Sequence, residues 1–205
     1  MLGRARSLGR LGYSVLLIDL PGHGESGGSH ITFGIAEAQS VGAALRYLHH
    51  EFSVERIGVI GVSLGAASLV LSKPDVPLRA VVLESMFPTI REAVSDRLSL
   101  YLGSFGESLT PLLRWQLPLR LGISPAELRP IVELPSLHAP RLIVSGSIDR
   151  STTLAETERI YAAASAPKEL WVVDRAAHVN LHAFSSEAYE ERVSTFLARY
   201  LRHTD

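Results

Sequence analysis

Short apolar runs recur along the chain: YSVLLID (Tyr13 to Asp19), RIGVIG (Arg56 to Gly61), RAVVLE (Arg79 to Glu84), RLIVSG (Arg141 to Gly146) and ELWVVD (Glu169 to Asp174). They are continuous rather than alternating, which predicts strands covered on both faces. Stretches with helical character separate them. Thr32 to His50 carries apolar residues at Ile35, Ala38, Val41, Leu45 and Leu48, a near-helical spacing. Ser63 to Ser72 is rich in Ala and Leu and stops before Lys73-Pro74, where proline disfavours further helix. Thr153 to Ala164 and Glu187 to Leu201 complete the set, the last with Val193, Phe196, Leu197 and Tyr200. Strand and helix in turn predict βαβ units and an α/β fold with a mostly parallel sheet flanked by helices.

One interval breaks this rhythm. From Pro88 to Pro140 no strand pattern is visible, and prolines interrupt helical stretches that carry Tyr101, Phe105, Leu112, Leu113 and Trp115. In an open α/β sheet such an insertion usually lies over the carboxyl ends of the strands, where ligands bind. A helical lid over an apolar pocket is one reading. Extra packing helices or a partner-facing surface are the other.

At 205 residues the chain fits one domain with a sizeable core. Its composition, 46% hydrophobic and 20% charged, is that of an ordinary globular protein. The formal net charge of −1, with no basic stripe interleaved with aromatics, argues against a nucleic-acid partner. Cysteine is absent, which removes disulfides, thiolate metal sites and a cysteine nucleophile. No apolar run approaches the ~20 residues that a membrane span requires. The basic start MLGRARSLGR runs into VLLIDL and then DLPGHGES without a small-residue cleavage site, so no export signal is visible and a cytoplasmic location is expected.

The segment G-V-S-L-G, Gly61 to Gly65, stands where a strand pattern ends and a small-residue helix begins. Either it is a tight turn that happens to contain Ser63, or it is built to expose a nucleophile. The motif G-x-S-x-G in this context is the nucleophile elbow: a sharp turn exposes the serine Oγ, and small neighbours at Gly61, Gly65 and Ala66 let strand and helix approach. The Leu64 backbone N–H, at the positive end of the helix, is placed to stabilise an oxyanion.

A serine hydroxyl needs a histidine to take its proton and a carboxylate to hold that histidine. His178, in VVDRAAHVNLH, follows the last strand pattern and precedes the final helix. Asp149, in LIVSGSIDRST, stands just past the strand pattern before it. Both positions predict the same sheet edge as Ser63, and the chain order is Ser, Asp, His. Glu84 and Asp174 are rival carboxylates. His178 and His182 lie four apart, a spacing that could serve zinc, but no H-E-x-x-H and no third ligand accompany them.

With these motifs in view the chain resembles the α/β-hydrolase fold superfamily over nearly its whole length. GYSVLLIDLPGHGESGG (Gly12 to Gly28) is similar to a strand and loop that reads D-x-x-G-x-G-x-S there. LESMFPTIREA, APRLIVSGSIDRSTT and KELWVVDRAAHVNLH are similar to later landmarks of the small Bem46-like and other ABHD-type serine hydrolases. The resemblance implies a triad of Ser63, Asp149 and His178, a structural role for His23, an ester, thioester or amide substrate, and neither cofactor nor metal. A peptidase or acyltransferase would use the same residues.

The front of the fold departs from that pattern. Proteins of this superfamily carry further strands before the GYSVLLID segment and a His-Gly-type loop that donates a second oxyanion-hole N–H. Here the chain opens in what looks like the helix after that loop, so the N-terminal strands are missing. By the superfamily's strand order, one of them would lie between the Tyr13 to Asp19 and Arg56 to Gly61 strands. Its absence leaves two rows of backbone groups unpaired. Residue 1 is then not the natural start, or the sheet closes differently, or a partner chain or second copy completes it.

Overall fold

The computed structural model describes residues 1–28, 30–52, 56–103, 111, 124 and 126–202. Among them four parallel strands, β1 (Ile57–Val62), β2 (Leu78–Glu84), β3 (Arg141–Gly146) and β4 (Lys168–Val173), pair in the order β1-β2-β3-β4. The helices are α1 (Leu2–Arg10), α2 (Ile35–Glu51), α3 (Leu64–Leu71), α4 (Ile90–Leu102), α5 (Pro130–Glu133), α6 (Leu154–Ala163), α7 (Leu181–Phe184) and α8 (Ser186–Leu201). Four of the five strand patterns and the four helical stretches are therefore present, with ends within about three residues of those expected.

Alternation along β2 shows why these runs are apolar throughout. Val81 and Leu83 face a core built with Leu45, Leu69 and Ile160 of α2, α3 and α6. Ala80 and Val82 face a second core with Val193, Phe196 and Leu197 of α8. Both faces are covered, so neither can be polar. At the start of β3 the Arg141 side chain is buried, with no carboxylate partner among the described residues; its guanidinium donates to the carbonyls of Ala139 (2.9 Å), Leu134 (3.1 Å) and Leu137. Those bonds tie the segment after α5 to the sheet. Glu37, also buried, closes the start of α2 by accepting from Thr32 N and Gly34 N, both at 2.8 Å.

The expected strand at Tyr13 to Asp19 is not part of the sheet. Val15, Leu16, Leu17 and Ile18 are exposed at 40, 43, 39 and 42%, and the backbone of Ser14 to Ile18 makes no hydrogen bond among the described residues. The reason is physical. A strand is defined by its neighbour, and between this segment and β1 lies a groove of about 880 Å³. Leu8, Leu197 and Leu201 line one side of it; Leu45, Leu48 and Leu69 line the other. Among the described residues neither row of backbone groups has a bonding partner.

Of the Pro88 to Pro140 interval, the described residues form α4, α5 and a 3₁₀ turn at Leu134–Ser136, with no strand among them. Tyr101 is 75% exposed. Phe105, Leu112, Leu113 and Trp115 lie outside the described residues. No helix among the described residues is long and apolar enough to cross a membrane.

Candidate active site

Ser63 caps β1 and precedes α3 with φ 49° and ψ −112°, a backbone conformation that a residue with a Cβ rarely adopts. Its N–H donates to the Glu84 carbonyl at 2.8 Å, which fixes the turn against β2. Gly61 is required for this geometry: a Cβ there would lie 2.6 Å from the Ala66 Cα and 2.8 Å from its nitrogen. Gly65 plays no such part. A Cβ at that position meets open space, so the close approach of strand and helix rests on Gly61 and the fully buried Ala66. Leu64 opens α3, and its N–H has no acceptor within the helix.

Asp149 and His178 are brought into contact. His178 Nδ1 lies 2.8 Å from Asp149 Oδ2, with the carboxylate side chain fully buried and the imidazole one quarter exposed. Asp149 also accepts from Ser151 N (2.8 Å), Thr152 N (3.0 Å) and Thr152 Oγ1 (2.9 Å). Burial alone would push this carboxyl up. The bonds from His178, Thr152 and Ser151 outweigh it and hold Asp149 below its ordinary range. An ionised carboxylate only accepts, so Nδ1 carries the proton and Nε2 is left as the basic nitrogen.

The rival carboxylates are engaged elsewhere. Glu84 is buried against Arg4, whose Nε donates to Oε1 at 2.9 Å, and it accepts from the Tyr189 hydroxyl. Asp174 is exposed beside Arg175. Of the remaining histidines, His182 pairs with Glu190 at 3.1 Å, and His23 sits exposed with Nδ1 3.1 Å from the Pro21 carbonyl. Among the described residues no three His, Asp or Glu side chains are grouped to hold a metal.

Register brings the three positions to one edge. Val62 is level with Glu84, Glu84 with Val144, and Gly146 with Val173, so the segments after β1, β3 and β4 all leave the same side of the sheet. The loop that carries His178 folds back from β4 across β3, and Gly146 makes that path. A Cβ on Gly146 would lie 2.1 Å from the Ala176 carbonyl oxygen, so the loop carrying His178 crosses directly over the end of β3. Arg4 supports the same loop from α1, donating to Asn180 Oδ1 at 2.8 Å. Sequence reasoning missed both residues, since neither Gly146 nor Arg4 belongs to a spacing that points at the loop. Ser63 Oγ itself makes no hydrogen bond among the described residues.

A parallel α/β sheet with a strained serine turn at the end of one strand and a buried Asp–His pair after the third and fourth marks a hydrolase-type fold. The sequence profile of the alpha/beta hydrolase family matches residues 2–193, and the chain belongs to that family. Two similar proteins are the uncharacterized protein YqkD of Bacillus subtilis (25% identical, covering 91% of this chain) and the uncharacterized protein Rv2307c of Mycobacterium tuberculosis (31% identical, covering 94%). The chain spans 63% of the length of each. Among solved structures, the esterase Pf2001 of Pyrococcus furiosus superposes with a TM-score of 0.79 at 26% identity, over 98% of this chain and 76% of the esterase.

Proposed function

We propose that the chain is a serine hydrolase that cleaves a carboxylic ester, thioester or amide by acyl transfer. The observation that carries this reading is the buried Asp149 carboxylate bonded to His178 Nδ1 on the edge of the sheet where Ser63 turns. Ser63 Oγ attacks the carbonyl carbon while His178 Nε2 takes its proton; the resulting oxyanion is held by the Leu64 N–H at the start of α3. Collapse breaks the bond to the leaving group, which receives the proton from His178. Water, deprotonated by the same nitrogen, then attacks the acyl-enzyme and releases the acid and free Ser63. Asp149 orients the imidazole and balances its transient charge.

Kinship with the Pyrococcus esterase supports ester hydrolysis over other uses of the fold. A serine at the nucleophile position disfavours dehalogenase and epoxide-hydrolase chemistry, which need a carboxylate there. The Bem46-like likeness rests on the sequence landmarks alone, and a lid formed by the Pro88 to Pro140 interval belongs to the same proposal. Turnover of short p-nitrophenyl esters tests it: activity of the native chain, absent from Ser63→Ala and His178→Ala variants that still fold, is the expected result. Equal turnover by all three would overturn it.

A second reading draws on the open groove beside β1: a non-catalytic binding protein, or a chain completed by a partner. What opposes it is the intact Asp149–His178 pair.

A further inference from the structure

Helix α1 docks through a charge. Arg4 and Ser7 are its buried residues, and the Arg4 side chain stands where a docking helix would ordinarily bury an apolar one. Its guanidinium forks onto Glu84: Nε donates to Oε1 at 2.9 Å and Nη2 donates to Oε2. Nε also lies 3.0 Å from the Tyr189 oxygen, and the guanidinium carbon stands over that ring, 5.1 Å from its centre. Glu84 and Tyr189 are both buried, and the Tyr189 hydroxyl donates to the same Oε1. The remaining nitrogen, Nη1, donates to Asn180 Oδ1 at 2.8 Å.

Both ends of this network touch the segments that carry the proposed triad. Glu84 accepts from the Ser63 N–H at 2.8 Å through its main-chain carbonyl, and it stands level with Val62 on β1 and Val144 on β3. The next residue, Ser85, turns out of the strand at φ 45° and donates its N–H to the Val144 carbonyl at 2.8 Å, so Glu84 is held from both neighbouring strands. At the other end Asn180, two residues past His178, caps α7 by accepting from Ala183 N at 3.4 Å. One arginine therefore joins the residue that fixes the serine turn to the loop that carries the histidine.

A pair this buried adds little net stability over apolar side chains of the same volume, because desolvation offsets its attraction. Apolar side chains would hold α1 as firmly and fix no direction. A planar fork on a carboxylate fixes distance and angle together, which a lysine, a single point charge, does not. Burial alone would lower the Arg4 guanidinium, and the bonds and charge of Glu84 outweigh it, so the cation is kept. We propose that Arg4 is a positioning residue that sets the Ser63 turn against the His178 loop through the Glu84 carboxylate and Asn180. This role rests on the serine-hydrolase reading, and it acts on rate because small displacements between nucleophile and base carry large rate effects.

The test is steady-state hydrolysis of p-nitrophenyl butyrate by the 205-residue chain and its variants, with melting curves and with backbone hydrogen exchange read by mass spectrometry. Arg4→Lys is expected to lower kcat by about tenfold or more with KM unchanged, and to speed exchange in the peptides that hold Ser63 and His178 to Ala183. Asn180→Ala removes the second arm and lowers kcat by less, about threefold, since Asn180 is exposed and water replaces the lost acceptor. Asn180→Asp keeps both the acceptor and the cap and recovers the native rate. Because Asn180 acts through Arg4, the double variant Arg4→Lys/Asn180→Ala is no slower than Arg4→Lys alone. Leu142→Ala, a truncation in the core that holds Tyr189, lowers the melting temperature and leaves kcat of the folded protein at the native level.

A native kcat in Arg4→Lys, or an equal fall in kcat in Leu142→Ala, overturns the proposal and leaves the pair a purely structural one. Losses that multiply in the double variant assign Asn180 to helix capping alone and overturn the link to the histidine loop. Should Arg4→Lys not fold, Asn180→Ala and Asn180→Asp decide the matter, and equal rates for the two overturn it. If the native chain turns over no ester and Ser63 takes no fluorophosphonate, the hydrolase reading fails and exchange alone judges the tie: faster exchange in both segments of Arg4→Lys supports it, and a change confined to α1 overturns it.

Discussion

The two sides of the sheet are built from nearly the same kind of sequence and end in different states. In β2 and β3, Val81, Val82, Leu83, Leu142 and Val144 are wholly buried. In β1, an equally apolar strand, Gly58 is exposed and Val59, Ile60 and Val62 are half-buried, because only one edge and part of each face are covered. Apolar continuity specifies that a segment is suited to a buried parallel strand; burial itself requires a neighbour on each side. The proposed chemistry straddles this divide. Asp149 and His178 follow the closed side of the sheet, whereas Ser63 is carried by the open one.

The largest effect that sharpens this contrast lies in the half of the proposed site that follows the closed side of the sheet. Asp149→Asn leaves the hydrogen-bond geometry but supports the wrong tautomer of His178, and ester turnover is expected to fall by about 10⁴-fold. Steady-state kinetics with a p-nitrophenyl ester measures it. The native carboxylate is held below its ordinary range, so its contribution to stability is full above the unfolded pKa and is lost as pH falls through the lower folded value. Melting curves of the two proteins should therefore converge at the acid end.

A matched pair of truncations probes the comparison itself. Leu83→Ala on the closed side should cost about 2–5 kcal/mol in denaturant unfolding, while Ile60→Ala on the open side should cost about 1 kcal/mol or less. Similar costs for both would mean that β1 is as well packed as β2, and the contrast would fail.

Gly146→Ala places a methyl against the Ala176 carbonyl and must displace the loop that carries His178. We expect a loss of about 1–3 kcal/mol of stability and a larger proportional loss of activity than of folded protein, read by comparing turnover with circular dichroism. The smallest effect concerns Asp96 on α4. Burial and the negative charges of Glu156, Glu92 and Asp149 push its carboxyl up to about 7. Its folded value exceeds its unfolded one, so ionisation weakens the fold as pH rises through that range. Asp96→Asn should raise the melting temperature slightly at pH 8 and by less at pH 5, since the gain grows from about pH 4 to pH 7.

Much of this arrangement was legible in the sequence, for identifiable reasons. β1 to β4 and their helices follow from apolar runs and their spacing, and Ser63, Asp149 and His178 follow from standing just past strand patterns. Tyr13 to Asp19 reads as a strand because its residues suit one; among the described residues it has no paired neighbour, a gap that local pattern does not record and that only the strand order implied by the family resemblance anticipates. Gly65 looked as necessary as Gly61, since a motif does not reveal which glycine meets a neighbouring backbone. The roles of Gly146 and of Arg4, which reaches Glu84 and Asn180 across the fold, depend on contacts between distant parts of the chain.

The most direct test of the central claim is mass spectrometry of the intact chain after treatment with a fluorophosphonate, followed by mapping of the adduct. Expected is a single adduct on Ser63, absent from Ser63→Ala and formed far more slowly in His178→Ala. An adduct on another residue, or labelling that persists in Ser63→Ala, would contradict the assignment of Ser63 as the activated nucleophile.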